Sequence, residues 1–233
     1  MKLAIMQPYI FPYIGYFNLV HSVDKLIFYD DVSFISRGWI NRNKILSNKK
    51  EFLFSIPLVK ASRNKLINEV AVLKDPRWKA KFLKTLKHSY SREKNFINIY
   101  PLVEEIVNHD AAYISDLAIF SITKISEYLG LKRDFSKSSD LTTVDKSKKG
   151  TEKILDICKQ EHASVYNNAI GGMELYNRDV FKSNAIDINF VKPNIISYDQ
   201  GLDSFLSHLS IIDILMFNSK KSITDMIKSY SLI

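Results

Sequence analysis

Residues 1–31 have the sequence MKLAIMQPYIFPYIGYFNLVHSVDKLIFYDD, and this stretch decides the predicted fold. A short apolar run at 3–6 precedes a loop that is rich in proline and tyrosine. A helix-length segment at 17–23 and a second apolar run at 26–29 follow the loop. This order is typical of a parallel strand–helix–strand unit, so we predict an α/β fold.

The residues that follow the first two predicted strands are candidates for a functional site. Gln7 follows the first strand, and Asp30 and Asp31 follow the second. Ligands of open parallel sheets bind outside the carboxyl ends of the strands. Gln7 is therefore a predicted substrate-binding residue, and Asp30 or Asp31 is the predicted general base.

The loop after the first strand, residues 7–16, carries Tyr13, Gly15 and Tyr16. We call it the tyrosine loop. A glycine at such a turn allows close backbone approach, and the helix start behind it offers free N–H groups to an anion. Tyr13 and Tyr16 are therefore candidate catalytic residues, although tyrosines that pack in the core explain the pattern equally well. The spacing is similar to the His-x-Gly-His signature of nucleotidyltransferases. A neutral phenol with a pKa of about 10 cannot replace the histidines that stabilise a triphosphate.

A cluster of polar and aromatic residues follows the two carboxylates: Trp39, Asn41, Arg42 and Asn43. Arginine offers a planar donor fork to phosphate or carboxylate. Tryptophan stacks on flat rings, and asparagine both donates and accepts hydrogen bonds. The mixture suits a nucleotide or sugar-nucleotide pocket, so all four are predicted to bind substrate. An ordinary loop with an anchoring tryptophan and a surface arginine is an equally good interpretation.

Residues 75–130 are predicted to be largely helical and to form an insertion in the sheet. Asp75 and Pro76 have the pattern of a helix start, and Gly130 has that of a helix end. We predict a single Rossmann-like α/β domain over residues 1–233, with a mostly parallel sheet and flanking helices. The helical insertion is a candidate subdomain of it.

Four further strands are predicted at 51–59, 66–73, 163–167 and 186–191. Gly171 and Gly172 follow the strand at 163–167. Two glycines at a strand end either let the backbone approach a ligand or simply form a turn. Both are predicted to bind substrate.

Ser210 and Asp213 lie three residues apart, so they share one face of a predicted helix. An isolated buried carboxylate is costly, and Asp213 therefore needs a partner or a wet cleft. Two interpretations stay open. Both side chains line the substrate cleft, or Asp213 bonds to neighbouring backbone.

The composition excludes several classes of protein. Hydrophobic residues make up 46% of the chain, and the single cysteine, Cys158, permits no internal disulfide. No run approaches the roughly 18 consecutive apolar residues of a membrane helix. No secretory signal with a small-residue cleavage site is evident. These features predict a cytoplasmic protein without a transmembrane segment.

The formal net charge is +8. Such a charge favours phosphate-bearing ligands, acidic partners or an anionic membrane surface, or it reflects a solvated lysine-rich surface. The sequence has no nucleic-acid-binding signature and no cluster with metal-ligand spacing. We therefore expect no nucleic-acid partner and no structural metal. The cofactor and the oligomeric state stay open.

Five segments resemble the WbqC-like family of bacterial proteins, and they are distributed over essentially the whole chain. They are 6–17 (MQPYIFPYIGYF), 28–45 (FYDDVSFISRGWINRNKI), 149–160 (KGTEKILDICKQ), 166–181 (YNNAIGGMELYNRDVF) and 207–233 (SHLSIIDILMFNSKKSITDMIKSYSLI). The first two are the most distinctive. Where the family has a proline two residues before Leu209, this chain has Ser207.

The resemblance implies a role in surface-polysaccharide synthesis, notably of the O-antigen of lipopolysaccharide. It also implies a transferase that forms an amide on a nucleotide-linked amino sugar, with glycine as one candidate for the transferred group. In this hypothesis Arg42 holds phosphate or carboxylate, and Trp39 or a loop tyrosine stacks on the base or sugar. Asp30 or Asp31 deprotonates the attacking ammonium. The acyl or aminoacyl donor is not identified.

Two other hypotheses stay open. A non-catalytic scaffold of polysaccharide assembly would dock acidic partners or the membrane through its basic surface. Its polar residues would spread over a flat face, whereas those of an enzyme line a pocket. A nucleotidyl or adenylyl transferase would bind ATP and magnesium at the tyrosine loop.

Overall fold

The fold is that of a computed structural model, which describes residues 1–145 and 147–233. The strands are β1 (Lys2–Met6), β2 (Lys25–Phe28), β3 (Arg42–Ser47), β4 (Lys50–Ser55), β5 (Asp134–Lys137), β6 (Val165–Ala169), β7 (Asp187–Pro193) and β8 (Tyr230–Leu232). The helices are α1 (Ile14–His21), α2 (Pro76–Tyr90), α3 (Phe96–Asn108), α4 (Ile114–Leu129), α5 (Gly150–Gln160), α6 (Arg178–Ser183), α7 (Ile211–Phe217) and α8 (Lys220–Lys228).

Six strands form the main sheet, in the order β5-β2-β1-β6-β7-β8. The pairs β5–β2, β2–β1, β1–β6 and β6–β7 are parallel. Only β8 joins its neighbour in the antiparallel direction. The predicted Rossmann-like fold with a mostly parallel sheet is confirmed.

Helices cover both faces of this sheet. Side chains of β1 alternate between two apolar cores, with Ala4 in the first core and Leu3 and Ile5 in the second. The first core includes α1, α2, α3, α4, α7 and α8, and the second includes α5 and α6. Side chains on both faces of the strand are therefore buried, each face in its own hydrophobic layer, as expected for a parallel sheet.

The predicted helical insertion is present between β4 and β5. Its first helix begins at Asp75, whose Oδ1 accepts a hydrogen bond from the Arg77 backbone N–H at 2.9 Å. Its last helix, α4, ends at Gly130, which has a φ of 76°. That left-handed conformation is one that glycine adopts without strain. The buried sides of the three helices join the first core, so the insertion packs on the sheet.

The prediction of a strand at 66–73 is wrong. This segment forms a single turn of 3₁₀ helix at Ile67–Glu69 and isolated bridges on either side. Its apolar side chains Ile67 and Val70 are buried in the first core instead of alternating along a ladder. The strand partner of β4 is β3, and the two form a separate antiparallel hairpin. Its turn places Asn48 and Lys49 at positive φ, as a tight hairpin requires.

The sheet has one switch point, between β1 and β6. β2 lies on one side of β1, and β6 lies on the other. Loops that follow the two strands at such a point separate and open a crevice for ligands. The tyrosine loop follows β1, and the turn Ile170–Leu175 follows β6. These two segments border the crevice.

Candidate functional site

A cleft of about 690 Å³ opens at the carboxyl end of β2. We call it the lysine cleft. Pockets for small-molecule ligands have volumes of roughly 300–1,000 Å³, so the cleft has the size of a ligand site. The residues in its lining that bear on its chemistry are Tyr29, Asp31, Asn68, Glu69, Ser139, Lys148, Lys149 and Lys153.

The lysines of this cleft gather at the start of α5. Lys149 is the cap residue, and its own side chain makes no capping hydrogen bond. The N–H groups of the first turn are therefore open to a ligand, and the helix dipole favours an anion there. Lys148 Nζ lies 2.8 Å from Asp156 Oδ1. Lys149 is exposed, and it forms no ion pair within the described parts of the chain.

Asp31 and Lys153 form an ion pair on the wall of the cleft. Lys153 Nζ lies 2.7 Å from Asp31 Oδ2, and the two side chains are only 6% and 12% exposed. Ser138 Oγ donates a hydrogen bond to the other carboxylate oxygen of Asp31. Lys153 Nζ also lies 5.1 Å from the ring centre of Tyr29, within range of a cation–π interaction. Asp31 is thus held in one orientation at the ligand-accessible wall.

Asp30 has a different environment, because it is buried and does not line the cleft. Its Oδ1 accepts a hydrogen bond from Ser139 N at 3.0 Å, and it lies 3.2 Å from Ser138 Oγ, whose single hydroxyl proton is shared with Asp31. Its Oδ2 accepts from Ser139 Oγ at 2.7 Å and from Asn68 Nδ2 at 3.4 Å. Both oxygens are engaged, so Asp30 fixes the segment after β5 that also holds Asp31.

Tyr29 separates the cleft from the second core. Burial raises the pKa of its phenol, and the nearby charge of Asp31 raises it further. Tyr29 is therefore a neutral hydrogen-bonding group at physiological pH.

A second cavity, of about 230 Å³, lies at the switch-point crevice, and we call it the switch-point groove. A third cavity, the aromatic pocket, has about 260 Å³ and is lined by Tyr9, Pro12, Tyr13, Trp39, Asn43 and His208. Tyr13 and His208 line both the groove and the aromatic pocket. These two rings, with centres 5.8 Å apart, therefore stand between the two cavities.

The tyrosines of the first loop have separate roles. Tyr16 is buried, and its hydroxyl donates a hydrogen bond to the Gln7 carbonyl at 3.1 Å. Burial raises the pKa of Tyr16 well above its ordinary value. The Tyr13 ring lies over Gly15, where a Cβ would stand 2.3 Å from Tyr13 Cζ. The glycine is therefore needed for the position of Tyr13. The Gln7 side chain lies beside Tyr9, with Oε1 3.5 Å from the Tyr9 hydroxyl.

The Arg42 guanidinium is engaged by the turn before β3. Its Nε donates to the Gly38 carbonyl at 2.9 Å, and its Nη2 donates to the Arg37 carbonyl. It also lies over the Trp39 ring, 5.6 Å from the ring centre. Arg42 thus orients Trp39, which presents its ring to the aromatic pocket.

The two asparagines of this cluster bind backbone. Asn41 Nδ2 donates to the Ile56 carbonyl at 2.8 Å. Asn43 Nδ2 donates to the Phe11 carbonyl at 2.7 Å and to the Ile10 carbonyl at 3.3 Å. Asn43 therefore ties β3 to the tyrosine loop, and it also lines the aromatic pocket.

Gly171 and Gly172 lie in the turn that borders the switch-point groove. A Cβ on Gly172 would stand 2.6 Å from Asn168 Nδ2, whereas a Cβ on Gly171 would meet nothing within 4 Å. A Cβ on Gly172 would therefore displace the Asn168 side chain, and one on Gly171 would not disturb its surroundings.

Ser210 caps α7, with its Oγ accepting from Ile212 N at 3.3 Å. The same hydroxyl donates to the Phe11 carbonyl at 2.8 Å. Phe11 is buried and has a positive φ of 43°. Ser210 thus secures an unusual backbone conformation in the tyrosine loop.

Asp213 is fully buried and lies at the centre of a hydrogen-bond network. It accepts from the hydroxyls of Tyr90 at 2.6 Å and Tyr198 at 2.5 Å, and from Gln200 Nε2 at 3.0 Å. Burial raises the pKa of Asp213, although the three hydrogen bonds oppose that shift. The network connects α7 with α2 and with the segment that forms a wall of the switch-point groove.

Several residues of these sites were not singled out from the sequence: Lys148, Lys149, Lys153 and Lys192. The signal for Lys148 and Lys149 was the sequence Lys-Lys-Gly at the start of an amphipathic helix, a pattern that places cations there. The contact of Lys153 with Asp31 spans 122 residues, which no local pattern reveals.

Comparisons with known proteins identify relatives of this chain. A family model described as WbqC-like protein family matches residues 7–225. The Mycobacterium tuberculosis (strain H37Rv) protein named Uncharacterized protein Rv1507c is 28% identical over 220 residues, which cover 93% of each chain. No solved structure gives a significant match. Within the described residues, no helix has the length and apolar character to cross a membrane, and no group of three or more His, Cys, Asp or Glu side chains could hold a metal.

Proposed function

The chain belongs to the WbqC-like protein family, and we propose that it is a cytoplasmic transferase that acts on a nucleotide-linked amino sugar. The proposed reaction transfers an acyl or aminoacyl group, such as glycyl, to the sugar amine: the amide C–N bond forms, the bond between that group and its carrier breaks, and the carrier leaves with the amine proton. Its products would serve surface-polysaccharide synthesis, including that of O-antigen. The observation that carries the proposal is the lysine cleft, where three lysines and an open helix start lie beside Asp31.

The start of α5 is the proposed site of the diphosphate. Lysine binds phosphate as a point charge, and free N–H groups at a helix start add directed donors. Lys149 is exposed and projects its charge without an acidic partner among the described residues. The diphosphate of a nucleotide sugar would supply that missing negative charge.

Asp31 is the proposed general base. A base must lie within hydrogen-bond reach of the proton that it accepts. Asp31 lines the cleft, whereas Asp30 is buried behind it. A sugar amine enters as an ammonium, and a carboxylate next to it both attracts the cation and accepts its proton. Lys153 and Ser138 hold Asp31 in place for that role.

A thermal-shift screen with purified protein tests the proposal. The ligands are nucleotide-linked 4-amino-4,6-dideoxy sugars, the corresponding nucleoside diphosphates, and ATP with magnesium. A ligand at about a hundred times its dissociation constant stabilises the native state by roughly 2.7 kcal/mol. We expect such a shift with an amino-sugar nucleotide and a smaller one with its nucleoside diphosphate.

Mass spectrometry of the same mixture with an acyl donor then tests turnover. We expect a new amide on the sugar amine, with the nucleotide still attached. A shift with ATP and magnesium alone would favour an adenylyl transferase instead. No shift with any nucleotide at millimolar concentration would contradict the proposal and favour the scaffold hypothesis.

A further inference from the structure

The switch-point groove differs in chemistry from the lysine cleft. Its walls come from α1 (Ile14), the turn after β6 (Ile170), the end of β7 (Pro193) and α7 (Ile214). These walls are apolar, and the lining also includes the aromatic rings of Tyr198 and Phe205, so the groove suits an apolar ligand and not a phosphate. It lies at the position in an open parallel sheet where ligands generally bind.

The outer wall of the groove is held together by hydrogen bonds. Tyr198 and Leu206 line it, and Gln200 lies between them in the chain. Gln200 donates to the Leu206 carbonyl at 3.1 Å and accepts from Leu206 N at 2.9 Å. Gln200 and Tyr198 both donate to the buried carboxylate of Asp213. A buried polar network of this kind fixes the wall in one conformation.

Polar groups of the groove lining are Lys192, Tyr13 and His208. His208 has a positive φ of 61°. Such a conformation is strained for a residue other than glycine, and strain of this kind clusters at ligand sites. His208 Nδ1 lies 2.8 Å from Ser207 Oγ, so this contact leaves Nε2 for a ligand.

The rim of the groove carries two exposed isoleucines and a lysine. Ile195 lines the groove and is 59% exposed, and Ile196 beside it is also exposed. Lys192, three residues earlier, is an exposed cation of the same lining. An amphipathic ligand with an aliphatic part and an anionic part would match both features.

We propose that the switch-point groove binds the acyl donor, as an aliphatic acyl chain attached to a phosphate-bearing carrier. The chain lies between Ile14, Ile170 and Ile214, and Lys192 binds the anionic carrier. This inference rests on the proposed transferase function, and it names the donor class as aliphatic acyl. A glycyl group has no aliphatic chain to fill the groove.

Isothermal titration with coenzyme A and its acetyl, butyryl and octanoyl thioesters tests this inference. Each buried methylene tightens binding by about fourfold, so affinity should rise with chain length until the groove is full. Coenzyme A itself carries no acyl chain, and its affinity is the baseline of the series. Equal affinity for all four compounds would overturn the inference.

Two variants locate the site. Ile195→Asp places a charge at the exposed rim and should abolish the dependence on chain length. Lys192→Ala should weaken all four compounds by about tenfold, as expected for one charge-assisted contact. Ile97→Asp is the matched control, because Ile97 is an exposed isoleucine on α3. If Ile97→Asp and Ile195→Asp behave alike, the proposed site is wrong.

A parallel titration with uridine or thymidine diphosphate separates the two proposals. Nucleoside diphosphate binding that persists in Ile195→Asp, together with loss of octanoyl binding, supports two distinct sites. Nucleoside diphosphate binding without any acyl thioester binding overturns only the groove inference. Binding of neither ligand overturns both. Competition between a nucleoside diphosphate and octanoyl-4′-phosphopantetheine, which carries no nucleotide of its own, would place them in one site and overturn the groove assignment.

Discussion

Replacement of Lys153 by methionine tests how strongly the ion pair between Lys153 and Asp31 in the lysine cleft is excluded from solvent. Lys153 and Asp31 are 2.7 Å apart, with side chains that are 6% and 12% exposed. Methionine keeps the length of the aliphatic stem but removes the charge. Asp31 then remains as a buried carboxylate without its counter-ion. Removal of one partner from a buried pair typically costs about 3–5 kcal/mol, and we expect a loss in that range for Lys153→Met.

The matched control is Lys148→Met in the same cleft. Lys148 pairs with Asp156 at 2.8 Å, but these side chains are 38% and 24% exposed. Solvent screens such a pair, so the expected loss is much smaller than that for Lys153→Met. The double variant Lys153→Met/Asp31→Asn should recover most of the loss, because no uncompensated charge remains.

Urea denaturation at pH 7 measures these free energies of unfolding by linear extrapolation. Coincident circular dichroism and fluorescence transitions check that unfolding is two-state. A loss for Lys153→Met no larger than that for Lys148→Met would refute the argument. The wall of the cleft would then be as well solvated as its rim.

Two further predictions concern single side chains. Burial raises the pKa of Asp213 above its ordinary value, so the native state gains stability from protonated Asp213 in acid and loses it as pH rises through the raised pKa. As the pH rises above about 4, the wild type should therefore lose free energy of unfolding relative to Asp213→Asn. A difference between the two proteins that stays constant in urea titrations across this pH range would contradict the prediction. Gly130→Ala should cost about 1 kcal/mol because its φ is 76°, whereas Gly171→Ala should be nearly neutral in the same assay.

The sequence was sufficient for the parts of the fold that follow from local pattern. Apolar runs of strand length on either side of a short helix predicted β1, α1 and β2, and the structure contains them. The caps at Asp75 and Gly130 were recognisable because each residue type suits a specific backbone conformation. The location of Asp30 and Asp31 at the edge of the sheet where ligands bind followed from the rule that ligands of parallel sheets bind at the carboxyl ends of the strands.

The sequence was insufficient where contacts span long distances in the chain. The contacts of Arg42 are an exception in range: its side chain was predicted to bind a ligand, and in the structure it donates to carbonyls only four and five residues away. The partners of Asp213 include Tyr90, which is 123 residues away, and a pattern search on one helix face cannot find it. The different roles of Asp30 and Asp31 depend on the segment after β5, which packs against both.

The central claim is that the start of α5 binds the diphosphate of a nucleotide sugar. Isothermal titration of a nucleoside diphosphate into wild type, Lys149→Ala and Lys84→Ala tests it most directly. Lys84 is an exposed lysine of α2, so its variant has the same change in net charge away from the cleft. We expect Lys149→Ala to weaken binding by about tenfold and Lys84→Ala to leave it unchanged. Equal affinity in all three proteins would contradict the claim.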